Sequence, residues 1–330
     1  MRITRQKLVD LARRHAEQAA NETDVLSAYL TGSVVQGDPL LGGSADIDLV
    51  LIHDVGPAQE REVVRLSADV HLDIAHHARR QYADPKSVRV DPWLGPAVSE
   101  PIFLYDPQHF FEWAQAGARG QYHRPDHVLA RARSMLEAAR TTAPQPGNGP
   151  AWAGSYLEAA LQGANAAALL VGPPAWGRRS ALLLEQRAAA LNHPEVYAGF
   201  LRLHGADGDR GWELPGWLTA WARAFDRAGQ TAPAAEFHPC RRTYFLSGFQ
   251  ALLDDGQPAA VIGPLLRSWD HLCLILDESD PSGDHRAAYI PALAALQLTS
   301  EHRAARADEL EAYLDHIESV LETWAERTGA

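Results

Sequence analysis

Asp46 and Asp48, set one apolar residue apart in the run Asp46-Ile47-Asp48-Leu49-Val50, are the residues of this chain best placed to do chemistry. The run reads as a strand. Alternate residues of a strand point to one face, so both carboxylates project together, roughly 7 Å apart at about 3.3 Å rise per residue. Carboxylates so placed repel each other unless a cation lies between them, and a hard divalent ion with oxygen ligands is the natural occupant. Upstream, the apolar run ending Tyr29-Leu30-Thr31 enters Gly32-Ser33. A glycine turn that opens a helix presents backbone N–H groups suited to phosphate oxygens. Together these features suggest a metal–nucleotide site. A third carboxylate follows in Asp69-Val70-His71-Leu72-Asp73-Ile74-Ala75. Alternation puts Val70, Leu72 and Ile74 on one face and Asp69, His71 and Asp73 on the other. Lying beside the first strand, Asp73 would complete a triad able to bind one or two Mg²⁺ ions. Its remaining oxygen would be free to take a proton from an incoming hydroxyl.

The elements that must position these residues are readable from periodicity. Residues 2–21 predict a helix, 24–31 a strand, and a short helix follows Gly32, limited by Pro39 and Gly42-Gly43. Strands are expected over 47–53 and 68–76, a helix or turn over 57–66, and a loop over the proline-bearing stretch 84–99. A late strand over 102–105 and a closing helix over 107–116 complete a small mixed sheet with flanking helices. From Pro125 onward the period is helical, with helices expected over 128–141, 151–171, 180–191, 218–228, 242–253, 258–276 and 301–327. The stretch 143–150, rich in Pro and Gly, is the clearest linker. The fold class is therefore α+β: a sheet domain over residues 1–120 and an all-helical domain over 121–330.

The order apolar-Gly-Ser, Asp-apolar-Asp, then a lone Asp on a later strand resembles the DNA polymerase beta-like nucleotidyltransferase superfamily. The runs Gly32-Ser33-Val34-Val35-Gln36-Gly37 and Ser44-Ala45-Asp46-Ile47-Asp48-Leu49 look most like the small bacterial antibiotic nucleotidyltransferases. The chain departs from their wording by placing Ala45 between Ser44 and Asp46, and by a slightly long loop over 38–43. The resemblance covers about residues 20–115. It implies the nucleotidyltransferase fold and a helical second domain that covers substrate or nucleotide. It also implies Mg²⁺-dependent transfer of a nucleoside monophosphate, most simply AMP from ATP, to a hydroxyl of a small molecule such as an aminoglycoside-type antibiotic, releasing pyrophosphate. In that scheme Gly32 and Ser33 hold the β- and γ-phosphates, and Asp46 and Asp48 hold Mg²⁺. Asp73 is a further metal ligand or the base. Alternatives are a protein or tRNA acceptor, as in toxin–antitoxin members, and a catalytically lapsed nucleotide-binding protein.

The bulk properties narrow the partners. The 330 residues carry a formal net charge of −12, with 46% hydrophobic and 22% charged residues. That acidity argues against a broad nucleic-acid footprint and fits a cationic acceptor, because a negative cleft concentrates polycations. No apolar run suggests a membrane span, and the start lacks a signal peptide's apolar core, so a cytoplasmic location is expected. Cys240 and Cys273 have no metal or disulfide spacing and read as buried free thiols, and His76-His77 read as residues that cap or solvate the end of their strand. In the second half, Trp152, Ser155, Tyr156 and Glu158, Arg178-Arg179, and Arg241-Arg242-Thr243-Tyr244 are candidates for acceptor or phosphate contacts, at an expected interface between domains.

Overall fold

The computed structural model describes residues 3–22, 24–37, 39–144, 151–208, 211–231, 235–279 and 283–330. Residues 145–150, the core of the expected linker, and Asp38 of the long loop lie outside these. Met1–His127 with His238–Gly248 form one compact unit, and Val128–Phe237 with Phe249–Ala330 form a second. The expected helical domain ran unbroken over 121–330, but His238–Gly248 groups with the sheet.

The first unit holds α1 (Arg5–Glu22), β1 (Val25–Leu30), α2 (Gly32–Gln36), β2 (Ala45–His53), β3 (Arg61–Arg65) and β4 (Val70–Ala78). There follow α3 (Pro85–Val90), α4 (Leu94–Ser99), β5 (Ile102–Tyr105) and α5 (Phe110–Arg119). The strands form a five-stranded mixed sheet in the order β3-β4-β2-β1-β5. Only β2 and β4 pair in parallel; the other neighbours are antiparallel.

Strand alternation divides this sheet into two unlike faces. Ala28 and Leu30 of β1, Ala45, Ile47, Leu49 and Leu51 of β2, and Val70, Leu72 and Ile74 of β4 share one buried cluster with Leu8, Val9, Ala12 and Ala16 of α1. Those α1 positions recur at helical spacing, so one stripe of the helix packs on this face, over β1, β5 and β2. On the opposite face, Tyr29, Val50 and Ile52 pack with Val88, Val98, Phe111, Ala114 and Ala118 from α3, α4 and α5. Tyr29 stacks on Phe111 with ring centroids 4.2 Å apart. The positions of β2 and β4 that continue this face away from the aromatic cluster are Asp46, Asp48, His71 and Asp73. Apolar packing thus ends where the carboxylates begin.

Two expectations are corrected here. Residues 61–65 form β3 and not a helix or turn, because Val63 and Val64 pair antiparallel with β4 at the edge of the sheet. The stretch 84–99 is not a loop but carries α3 and α4. Asp84 accepts from the backbone N–H of Lys86 and Ser87 with Pro85 at the first helical position, and Asp91 accepts from those of Trp93 and Leu94. Asp84 is the N-cap of α3, and Asp91, which closes α3, accepts from the turn that opens α4, so helices start where the prolines had suggested interruption.

The second unit is helical: α6 (Pro125–Thr142), α7 (Trp152–Ala168), α8 (Ser180–Leu191), α9 (Pro194–Leu203) and α10 (Leu214–Thr231), then α11 (Pro239–Asp254), α12 (Pro258–Ser279), α13 (Tyr289–Ala295) and α14 (Arg303–Thr328). The start of α6, to His127, and the start of α11, to Gly248, belong with the sheet. Alanine and glycine make α7 narrow enough to be buried along most of its length. Against the sequence expectation, one helix among the described residues, α12, is long and apolar enough to cross a membrane, with a mean hydropathy of 1.3; 67% of that window is buried inside the protein. Cys240 and Cys273 are buried with free thiols.

Candidate active site

The register of β2 against β4 assembles the acidic face. Asp48 pairs with Asp73 and Asp46 with His71 in the parallel ladder. Residues in register on neighbouring strands point to the same side, so Asp46, Asp48, His71 and Asp73 project together. The turn after β1 meets them. Thr31 donates its backbone N–H to the carbonyl of Asp48 at 3.1 Å. Gly32 follows with φ +69°, and a Cβ there would lie 1.9 Å from Asp48 Oδ2. Glycine is required twice over, for the left-handed backbone and for the carboxylate that occupies the side-chain position. Ser33, the second residue of α2, has its Oγ buried and without a hydrogen-bond partner among the described residues.

The three aspartates differ sharply in their surroundings. Among the described residues, neither the Asp46 nor the Asp48 carboxyl has a hydrogen-bond or ion-pair partner. Burial, then the charges of Asp46 and Asp73, push the Asp48 carboxyl well above the usual carboxylate range, against the opposing pull of Arg61 and Arg241. Asp73 is held the other way. Arg61 forks onto it, Nε to Oδ1 at 2.6 Å and Nη2 to Oδ2 at 2.7 Å, and Arg241 Nη1 adds a third bond to Oδ2 at 3.0 Å. Burial raises its proton affinity, yet the Arg61 hydrogen bonds and the charges of Arg241, Arg61 and His71 outweigh that and lower its pKa. Asp73 was expected to offer a free oxygen to a proton. As held here it is a weaker base than an ordinary aspartate, because two guanidiniums stabilise its charged form.

Arg241 arrives on α11. Arg241, Tyr244 and Ser247 recur every third residue and so share a helix face. Tyr244 meets the His71 ring edge-on with centroids 5.3 Å apart, and the Ser247 hydroxyl shares a 2.5 Å hydrogen bond with that of Ser44, just before β2. Three contacts therefore lay the start of this helix along the carboxylate face. The sequence had marked the 241–244 run as a candidate for phosphate or substrate contacts, without pairing it with Asp73. Arg61 was missed altogether, since an arginine at the edge of a short strand carries no signal without its neighbour.

The other candidates fall elsewhere. Trp152 and Tyr156 are buried and stacked with centroids 4.9 Å apart, Arg178 is buried, and Glu158 lies 3.5 Å from Arg267, all in the helical unit. His76 and His77 are not a solvated strand end: His76 Nδ1 is 3.0 Å from His53 Nε2, and His77 Nδ1 is 2.6 Å from the Tyr82 hydroxyl. One cavity of about 330 Å³ is lined from α6 and α14, and another of about 370 Å³ from around β5 and α5; none of the three aspartates lines either.

A divalent cation suits the donor set at Asp46 and Asp48. Neither carboxyl has a direct partner among the described residues, and burial together with the charges of Asp46 and Asp73 raises the proton affinity of Asp48, so a positive neighbour would be favourable there. Among the described residues, no group of three or more His, Cys, Asp or Glu side chains stands assembled as a metal-ligand set. Both oxygens of the third aspartate are engaged by arginine. No protein-family model matches the chain, and no curated protein does.

Proposed function

We propose that the sheet unit is the catalytic domain of a nucleotidyltransferase of the DNA polymerase beta-like type, transferring a nucleoside monophosphate, AMP from ATP in the simplest case, to a hydroxyl of a small and preferably cationic acceptor. The observation that carries this reading is the register that sets Asp48 beside Asp73, under a glycine turn whose next residue, Ser33, has a buried hydroxyl with no partner. Asp46 and Asp48 would hold Mg²⁺, which supplies charge neutralisation for a departing pyrophosphate. Ser33 Oγ donates to a phosphate oxygen, and the Gly32 backbone lets the polyphosphate approach closely. The acceptor oxygen forms a bond to the α-phosphorus as the bond from that phosphorus to the bridging oxygen breaks. The hydroxyl proton passes to Asp73, which needs release from at least part of its arginine contacts to receive it. The aminoglycoside-type acceptor rests on acidity and resemblance together.

The test uses the full chain with α-labelled ATP, Mg²⁺ and a panel of hydroxylated cationic compounds, then tRNA and protein extracts, reading pyrophosphate release and label transfer. Acceptor-dependent release that falls by about 10²-fold or more in Asp48→Asn is expected, the range for removing a group that stabilises developing charge. Transfer that Asp48→Asn leaves intact would remove the proposed site. One observation favours a lapsed, nucleotide-binding protein: the double arginine contact on Asp73. ATP binding that Mg²⁺ tightens, with no transfer to any acceptor, would select it.

A further inference from the structure

The contacts of Asp73 have a direction. Its side chain is 3% exposed and buried charge of this kind must be compensated; Arg61, 47% exposed, and Arg241, 13% exposed, supply the compensation. Next to it in register, the Asp48 carboxyl has no direct hydrogen-bond or ion-pair contact among the described residues. A bare cation approaching Asp46 and Asp48 therefore meets two fixed guanidiniums of like charge, and finds the third carboxylate taken. Guanidinium forks match phosphate as well as they match carboxylate. A polyphosphate that arrives with the cation offers Arg61 and Arg241 a replacement partner, and Asp73 is then released to the cation.

We infer that Arg61, Asp73 and Arg241 form an exchangeable clasp, through which a divalent cation binds this site well only together with a polyphosphate. The inference rests on the nucleotidyltransferase reading and adds to it two arginines and an order of assembly. Arg61 and Arg241 are positioning residues: closed, they hold Asp73 away from the cation, and open, they hold the phosphate chain. Linkage makes the effect reciprocal, so whatever strengthens cation binding alone weakens its dependence on polyphosphate. Arg61 is suited to the exchange by its edge strand and its exposure to solvent. Arg241 ties the same event to α11, whose other contacts are Tyr244 on His71 and Ser247 on Ser44.

The experiment measures Mn²⁺ binding to the full chain by the loss of the free-ion paramagnetic resonance signal. It also measures binding of preformed Mn²⁺–tripolyphosphate by equilibrium dialysis, for the wild type, Arg61→Gln, Arg241→Gln and Arg61→Lys. Each glutamine variant is expected to bind bare Mn²⁺ about tenfold more tightly and the tripolyphosphate complex about tenfold more weakly, a coupling of ordinary size. Arg61→Lys, which keeps the charge and loses the fork, should fall between and serves if a glutamine variant does not fold. Damage to the fold would weaken both arms together, so only opposite movement supports the clasp. Changes of the same sign, or none, overturn it. Asp48→Asn separates the two ideas: if neither form of Mn²⁺ binds in an Asp48-dependent way, the nucleotidyltransferase reading fails. Asp48-dependent binding without opposite arginine effects removes the clasp alone.

Discussion

Replacing Gly32 with alanine tests how the turn and the acidic face depend on each other, and Gly43→Ala supplies the comparison. Gly43 has φ +76° and nothing within 4 Å of the position a Cβ would take, so alanine there meets only the left-handed backbone cost, about 1–2 kcal/mol. Gly32 has a similar φ of +69°, but its added methyl would lie 1.9 Å from Oδ2 and 2.7 Å from Cγ of Asp48. The carboxylate must swing out of its rotamer, which adds roughly 0.5–1.5 kcal/mol to the backbone term. At roughly 2–4 °C per kcal/mol for units of this size, Gly32→Ala should melt a few degrees below Gly43→Ala. The larger difference is expected in ligand binding. Displacing Asp48 should weaken Mn²⁺–polyphosphate binding about 10–100-fold, the range seen when groups that orient a metal ligand are lost, while Gly43→Ala binds as the wild type does. Differential scanning calorimetry and equilibrium dialysis read the two effects separately. Equal melting points with equal binding in the two variants would show that Gly32 serves only the turn, and that its contact with Asp48 has no bearing on the site.

Other substitutions give outcomes of known sign. Ser33→Ala removes a hydroxyl with no partner in the free protein, so stability should move by no more than about 0.5 kcal/mol while MgATP binding weakens about tenfold; a loss of stability without a loss of binding contradicts the phosphate role. Burial pushes the Asp270 carboxyl up to about 6, and the Tyr289 hydroxyl donates to its Oδ1 at 2.9 Å. A raised folded-state pKa contributes stability that is complete below about pH 4 and lost as pH rises through about 6. Asp270→Asn, which keeps that acceptor, should therefore exceed the wild type in urea denaturation at pH 8 by about 3 kcal/mol and match it near pH 4. Equal destabilisation at both pH values refutes this. Burial, then His76, holds His77 down at about 4, so the unfolded chain takes up its proton first as pH falls from about 6.5. Stability should decline over that window, and His77→Gln should flatten the decline; an unchanged slope assigns it elsewhere.

What could be read from the amino-acid order is what depends on alternation. Asp46, Asp48 and Asp73 were assignable to strand faces because Ile47, Leu49, Leu72 and Ile74 mark the opposite face, and period 2 leaves no other choice. The parallel pairing itself was not readable, since it depends on β3 turning back along the outer edge of β4. That strand is five residues with arginine at both ends, too short and too charged to announce itself. Helices α3 and α4 were hidden by prolines that start helices as readily as they stop them; Asp84-Pro85 carried the cap and the first helical residue in plain order. The arginine contacts on Asp73 were beyond reach for a different reason. Arg241 is 168 positions away, and no local pattern tells a solvated arginine from one that meets a buried carboxylate.

That separation bears on how the protein comes into being. On the ribosome the strands, α1 and the aromatic cluster can gather as soon as the first stretch has emerged, but the acidic face must then wait while the helical segment from Val128 to Phe237 is made. Throughout that interval Asp73 lacks one of its two arginines and Ser44 its hydroxyl partner. A fragment ending at His127 should on this basis be a poor surrogate for the whole, because it lacks Arg241, Tyr244 and Ser247. Competence for ligand belongs to the finished polypeptide.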